Sequence, residues 1–256
     1  MKVAVLAGGL GTRLQEETST KPKPMVLVGG RPLLWHILKV YSAAGFNDFV
    51  IALGYKGEIV KDYFLGYHRR ASNLRIHLAT GEVETSETDV ESWTVDLLDT
   101  GLETQTGGRV RRVARHVGSG TFCLTYGDGI ADIDVRRLVA FHRSHGRLAT
   151  VTAVRPPARF GALRLAGDAV ERIQEKPQAG EGWINGGFFV LDARVAEYIA
   201  GDADVFEREP LERLAREGQL MAYRHEGFWQ CVDTLRDLNL LEAAWQSGQA
   251  PWRLWK

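Results

Sequence analysis

The chain has 256 residues, 45% of them hydrophobic, and its thirty-two basic side chains balance thirty-two acidic ones. That length suits one large α/β unit. The zero net charge leaves no long-range field to hold nucleic acid or an anionic membrane, and no apolar run is long enough for a membrane span, so any anion site must be local.

Two cysteines, Cys123 and Cys231, each lie in an apolar run and are expected as reduced core thiols. The N-terminus enters a strand after a single lysine, which is not a signal-peptide pattern, so a cytoplasmic protein is expected.

The first strand, Val3 to Ala7, runs into Gly8-Gly9-Leu10-Gly11-Thr12-Arg13-Leu14 and then Lys21-Pro22-Lys23-Pro24. Glycines without Cβ let backbone N–H groups approach phosphate oxygens, while Thr12, Arg13 and Lys23 supply a hydroxyl and positive charge. A tight turn after a strand uses the same glycines. No Lys-Ser or Lys-Thr follows them, which disfavours a P-loop. Where a dinucleotide fold wants an acid for the ribose, this chain has Lys21 and Lys23, which points to a more highly charged phosphate chain. The prolines either hold Lys23 in place or merely stiffen an exposed loop.

A helix follows near Pro32 to Ala44, with Leu34, Ile37, Leu38 and Tyr41 on one face and Gly45 beyond its end. Strand Phe49 to Leu53, helix Glu58 to Phe64 and a strand at Leu74 to Ala79 continue the alternation, which predicts βαβ units and a parallel sheet. Thr80 to Ser92 is acidic and polar, a surface excursion, before Trp93 to Leu98 resumes a strand. Helix Gly108 to Val117 turns Val110, Val113, Ala114 and Val117 inward and leaves Arg111, Arg112 and Arg115 on a solvated face. Strand Thr121 to Thr125 ends at Tyr126-Gly127-Asp128-Gly129. Ligands collect at the carboxyl ends of parallel strands, which places Gly127, Asp128 and the glycine loop on one rim. Asp128 reads either as a turn residue or as a metal ligand.

His142 and His145 form an i,i+3 pair on a surface helix, without zinc-like spacing. From Ala149 the strands shorten and turns multiply, a β-rich, substrate-side lobe continuous with the core. No linker or repeat divides the chain, so residues 1–256 are expected to form a single domain, with about 1–155 as nucleotide-binding core. Glu175-Lys176-Pro177 reads as a strand ending, and Asn185 in Asn-Gly-Gly as a turn. Asp233 is either a helix N-terminal acid or a second metal ligand. It opens a helix to Gln246 with an apolar stripe of Leu235, Leu238, Leu241 and Ala244 or Trp245. The tail, Pro251-Trp252-Arg253-Leu254-Trp255, either caps the core or contacts a neighbouring subunit.

The run from Leu6 and Ala7 through Leu14, together with Lys21-Pro22-Lys23-Pro24-Met25, resembles the signature of the sugar-phosphate nucleotidyltransferases. Thr125-Tyr126-Gly127-Asp128-Gly129, Pro156-Pro157-Ala158-Arg159-Phe160-Gly161, Glu175-Lys176-Pro177, Trp183 to Phe189, and Gly227-Phe228-Trp229-Gln230 with Asp233 to Asp237 resemble its cytidylyltransferase members. The resemblance covers essentially the whole chain.

It implies a Rossmann-like, mostly parallel sheet flanked by helices, and a homo-oligomer. It also implies Mg²⁺-dependent transfer from CTP to glucose 1-phosphate, giving CDP-glucose and pyrophosphate upstream of deoxysugars for surface polysaccharides. Asp128 and Asp233 would bind the metal, Arg13 would clamp the β- and γ-phosphates, and Lys23 would meet the α-phosphate. Residues 6–12 and Gly127 would line the nucleotide, and Thr104 and Arg109 would contact the base. Lys176, Glu175 and Asn185 would hold the sugar phosphate. The cytosine O2 that Arg109 would meet also occurs in uracil and thymine, so preference for CTP rests on the resemblance alone. The family pattern has Pro-Met where this chain has Cys231-Val232, and the thiol there is expected in the core, with binding of a soft metal as the alternative. The rival readings are the same reaction on another nucleotide or sugar phosphate, and a catalytically silent nucleotide-sugar sensor.

Overall fold

A computed structural model describes all residues except 10, 12–13, 87–89, 157–161, 167–168, 175–181 and 256, and the backbone alone of 15–16, 162–166 and 169–174. Its centre is one sheet of seven strands: β1 (Val3–Leu6), β2 (Asp48–Leu53), β3 (Thr94–Asp99), β4 (Thr121–Tyr126), β5 (Ala149–Val154), β6 (Ile184–Asp192) and β7 (Leu220–His225). The order across it is β7-β5-β6-β4-β1-β2-β3. The first four strands pair in parallel, with Leu6 of β1 opposite Ala52 of β2 on one side and Tyr126 of β4 on the other. β6 runs antiparallel to both β4 and β5, and β7 is parallel to β5. The sheet is therefore mostly parallel, as the alternation of apolar runs and helical patterns predicts.

Side chains of β1 alternate between two cores. Val3 and Val5 pack with Leu34, Ile37 and Tyr41 of helix α1 (Leu33–Ala43), while Ala4 and Leu6 pack with Val110 and Val113 of a later helix (Thr106–Val117) on the opposite face. Both faces are covered, which is why the strands read as continuous apolar runs. Helices α2 (Gly57–Leu65), α3 (Thr106–Val117), α4 (Val135–His145), α5 (Glu209–Arg216) and α6 (Leu235–Gln246) follow α1 in the chain. Among the described residues no helix is long and apolar enough to cross a membrane.

Several expectations change. The strand expected at Leu74 to Ala79 is Asn73–His77, and it lies outside the seven-stranded sheet. It pairs with Glu82–Ser86, inside the stretch expected as a surface excursion, to make an exposed hairpin. Arg75 faces Glu84 and His77 faces Glu82 across it, pairs that favour a solvated ribbon over burial between helices. On α3, Arg112 is not simply solvated: its Nη2 donates to Asp202 at 2.6 Å. His142 is no surface residue but 5% exposed, its Nδ1 2.9 Å from Thr150 Oγ1. Of the α6 stripe, Leu238 and Leu241 are buried but Leu235 is exposed.

The tail caps the core. Trp252 is fully buried and stacks on Phe228 with ring centroids 5.5 Å apart, and Trp255 meets Trp35 edge-on at 5.6 Å. Beneath them His36, also fully buried, holds the Val28 carbonyl through Nε2 at 2.8 Å, and Trp252 Nε1 donates to its Nδ1 at 3.4 Å.

Burial pushes the His36 pKa down to about 4 from the ordinary 6.5. A neutral, buried imidazole favours folding until it must take up a proton, so its contribution is complete above about pH 6.5 and is lost as pH falls towards 4. Urea unfolding at pH 7 and pH 4.5 should show a drop of roughly 2 to 3 kcal/mol from this residue. In His36→Gln the drop should shrink, leaving the part due to other groups, among them His142, which burial also lowers to about 4. An unchanged drop in the variant would remove His36 from the acid response.

Candidate active site

Because β6 is reversed, one rim of the sheet collects the carboxyl ends of β1, β4, β5 and β7 together with the start of β6. The glycine loop leaves β1 there, Gly127-Asp128 leaves β4, and Ile184-Asn185 enters β6. These segments line a cleft of about 1280 Å³.

Three charged side chains distant in sequence meet in it. Gly127 N donates to the Leu6 carbonyl at 3.0 Å, and a Cβ on Gly127 would lie 2.7 Å from both that oxygen and Pro24 Cγ. Only glycine lets the Lys23–Met25 turn pack so closely against the end of β4. Asp128 is pinned through its carbonyl by Val232 N at 2.8 Å, and the antiparallel ribbon Gly129–Ala131 with Trp229–Cys231 brings Asp233 alongside. Capping of α6 falls to Thr234, which shares a capping box with Asp237, so the Asp233 carboxylate points at the cleft. Lys23 Nζ donates to Asp128 Oδ2 at 2.7 Å and to Asp233 Oδ1 at 2.6 Å.

Lys23 is 8% exposed, not the solvated loop lysine of the simpler reading. Burial works against its charge, but the Asp128 carboxylate and hydrogen bonds to both aspartates outweigh that, and its pKa stands above the ordinary lysine value. The ammonium therefore stays charged throughout the neutral range. Asp128, Asp233 and Cys231 each offer a donor atom within 4.8 Å of the others. Two carboxylates converging on one cation suit a hard divalent ion. Cys231 corrects the expectation of a core thiol: it is half-buried and lines this cleft, whereas Cys123 is buried.

Under the glycine loop, Arg109 is 4% exposed. Its Nη1 donates to the Leu53 carbonyl at 3.0 Å and to Thr100 Oγ1 at 2.6 Å, and its Nη2 to the carbonyls of Gly8 at 3.1 Å and Leu102 at 3.3 Å. Both Nη groups are thus committed to the protein. A Cβ on Gly8 would fall 2.2 Å from Nη1, so the loop's first glycine is required by the arginine beneath it. Thr104, at the mouth of α3, lines the same side as Leu6, Ala7, Gly9 and Gly11.

On the other side Asn185 Nδ2 donates to the Tyr126 hydroxyl at 3.1 Å, Tyr126 donates to Glu207, and Thr106 Oγ1 donates to the other Glu207 oxygen at 2.6 Å. Burial, then the Glu207 charge, raises the Tyr126 pKa and keeps its phenol protonated. Glu207 is missed by the sequence reading, while Gln105 and Thr106 lie in the Thr104–Arg109 loop, whose resemblance to a base-binding region gives roles only to Thr104 and Arg109. Tyr126 lies inside the Thr125–Gly129 motif, which gives it no role of its own, and Glu207 carries no local signal at all. Leu10, Thr12, Arg13, Glu175 and Lys176 lie outside the described residues.

A family model described as nucleotidyl transferase matches residues 2–246. The glucose-1-phosphate cytidylyltransferase of Salmonella typhimurium is 51% identical over 257 residues, covering 100% of both chains. The probable glucose-1-phosphate cytidylyltransferase of Bacillus subtilis is 42% identical over 256 residues, again 100% of each. Among solved structures, HddC from Yersinia pseudotuberculosis superposes with a TM-score of 0.71 at 23% identity, over 95% of this chain and 99% of that one. This last likeness is one of fold.

Replacing Lys23 by Met keeps the stem and removes the charge, leaving two carboxylates facing each other. In chelator the variant should lose roughly 2 to 3 kcal/mol of unfolding free energy, part of it regained with millimolar Mg²⁺. Equal stability of variant and parent in chelator would show that the ammonium does not hold the pair.

Proposed function

The chain belongs to the nucleotidyl transferase family, and we propose that its reaction is transfer of a cytidylyl group from CTP to α-D-glucose 1-phosphate, giving CDP-glucose and pyrophosphate. The observation that carries this reading is the meeting of Lys23, Asp128 and Asp233 at the rim where the glycine loop leaves β1. The choice of substrates follows the relatives at 51% and 42% identity over the full chain.

Asp128 and Asp233 would hold Mg²⁺, which when bound neutralises and orients triphosphate oxygens. The backbone N–H groups of the loop at Gly8, Gly9 and Gly11 face the phosphates. Lys23, released from the carboxylates, moves to the α-phosphate and offsets the charge that builds there. Arg13 clamps the β- and γ-phosphates and stabilises the departing pyrophosphate. Arg109 acts on the nucleotide by fixing the Gly8 turn under it, with Thr104 beside the base. Glu175 and Asn185 hold the sugar hydroxyls, and Lys176 the phosphate of glucose 1-phosphate.

The attacking phosphate oxygen already carries negative charge near neutral pH, so no protein base is needed. The bond formed joins that oxygen to the α-phosphorus as the bond to the β-phosphate bridging oxygen breaks. The protein supplies position and charge, which for phosphoryl chemistry is most of the catalysis.

Purified protein with Mg²⁺, each nucleoside triphosphate in turn and a panel of sugar 1-phosphates should release pyrophosphate with CTP and glucose 1-phosphate, and not in EDTA. Asp128→Asn and Asp233→Asn should each lower turnover by at least about a hundredfold with the fold intact by circular dichroism. Full activity in either variant would remove that carboxylate from the metal site. Release with another pair alone would replace the substrates, and no release from folded, metal-loaded protein would favour the sensor.

A further inference from the structure

The cleft contains a nucleophilic side chain that the transfer reaction does not use. Cys231 ends the strand Trp229–Cys231 with its Cα opposite Gly129. Its neighbour Val232 is fully buried in the core. Side chains alternate along an extended backbone, so with Val232 turned inward, Cys231 and Asp233 share the cleft side. Sγ lies within 4.8 Å of the donor oxygens of both Asp128 and Asp233. The thiol and the two carboxylates that hold the Lys23 ammonium thus share one position in the cleft. The position is already one that a cation occupies.

The donor set is unlike that of a site dedicated to Mg²⁺. A hard ion takes oxygen and ignores sulfur, so Mg²⁺ would draw on two carboxylates and rely on substrate phosphates and water for its remaining positions. A thiophilic ion such as Zn²⁺, Co²⁺ or Cd²⁺ would gain a third protein ligand and need no substrate.

We propose that Cys231 is a conditional third ligand of this metal site, so that a thiophilic divalent cation occupies the substrate-free protein through Asp128, Asp233 and Cys231 and competes with Mg²⁺ there. The inference rests on the assignment of the metal to Asp128 and Asp233. On binding, the Cys231 S–H bond breaks, its proton leaves to solvent and a metal–sulfur bond forms. The Lys23 ammonium is displaced with its own proton and nothing is oxidised or reduced. The cation then sits where the triphosphate's metal belongs but is bound more firmly, which makes trace zinc an inhibitor relieved by chelation.

The test is titration of metal-free, nucleotide-free protein with Co²⁺, followed by the near-ultraviolet charge-transfer absorption that only thiolate-bound cobalt gives. The wild type should develop this band as the site fills. Cys231→Ser and Cys231→Ala should show no band and bind Co²⁺ on the order of tenfold or more weakly. Circular dichroism checks that both variants are folded. Cys123, buried with its thiol pKa pushed up to about 12, supplies the control: Cys123→Ala should keep the band. Asp128→Asn should weaken binding while retaining it. Cobalt binding without the band in the wild type, or a band that survives in Cys231→Ala, would overturn the proposal. None of these readouts needs turnover. Failure to bind Co²⁺ alongside intact Mg²⁺-dependent pyrophosphate release would remove the sulfur ligand and leave the reaction standing. Loss of the reaction with the band intact would do the reverse.

Discussion

The arrangement depends on one ammonium group held between two carboxylates. Lys23 lies 105 residues from Asp128 and 210 from Asp233, and nothing local to any of them requires the meeting. Three buried or half-buried charges in one place would repel or desolvate at a cost of several kcal/mol unless they balanced. The ammonium offsets the mutual repulsion of the aspartates, and they in turn keep it charged. On the proposed reading the same balance keeps the site ready for chemistry, because a basket shaped around one cation would accept another once phosphates took the lysine.

That contact is possible because of what surrounds it. Gly127 admits Pro24 against the end of β4, and Val232 holds the Asp128 carbonyl, so the two acids are aimed by backbone bonds that their own side chains do not make. Thr234 and Asp237 close the start of α6 between themselves. An aspartate one position earlier would otherwise be drawn to the free N–H groups of the helix. On the proposed nucleotide side Arg109 does the equivalent work under the Gly8 turn, satisfying carbonyls from β2 and from the loops on either side of it.

Much of this was legible in the sequence because it is written locally. A buried strand followed by glycines, a helix with proline before it and glycine after it, and apolar spacing on α1 and α3 each declare themselves within a dozen residues. The pairing of Asp128 with Asp233 came from resemblance, since a Gly-Asp-Gly turn and an acid before a helix are both ordinary in isolation. What misled was context. Leu74, Ile76 and Leu78 alternate as they would in a half-buried strand, and only the absence of a place in the sheet makes them a solvated hairpin. Cys231 stands among Phe228, Trp229 and Val232 and so reads as core, although alternation along an extended strand sends it to the side opposite Val232. Glu207 had no signal because its position depends on Asp202 and Asp204, whose carbonyls accept from Gln105 and Gly107 and so hold that segment against the start of α3.

The reversal of β6 gives the site its two halves. In a wholly parallel sheet only strand ends reach the active rim, and each brings one loop. Running β6 the other way places a strand start there, so Asn185 arrives on rigid backbone and reaches the hydroxyl of Tyr126, which ends β4. Tyr126 in turn is tied through Glu207 to Thr106 at the head of α3. A chain of side chains thus crosses from the strand on the proposed sugar side to the loop on the proposed base side, along the cleft that Asp128 also lines. An in-line displacement needs its two substrates fixed relative to each other more tightly than either is fixed by its own pocket. The side chains that join the halves therefore matter to the geometry of attack even where they touch neither reacting atom.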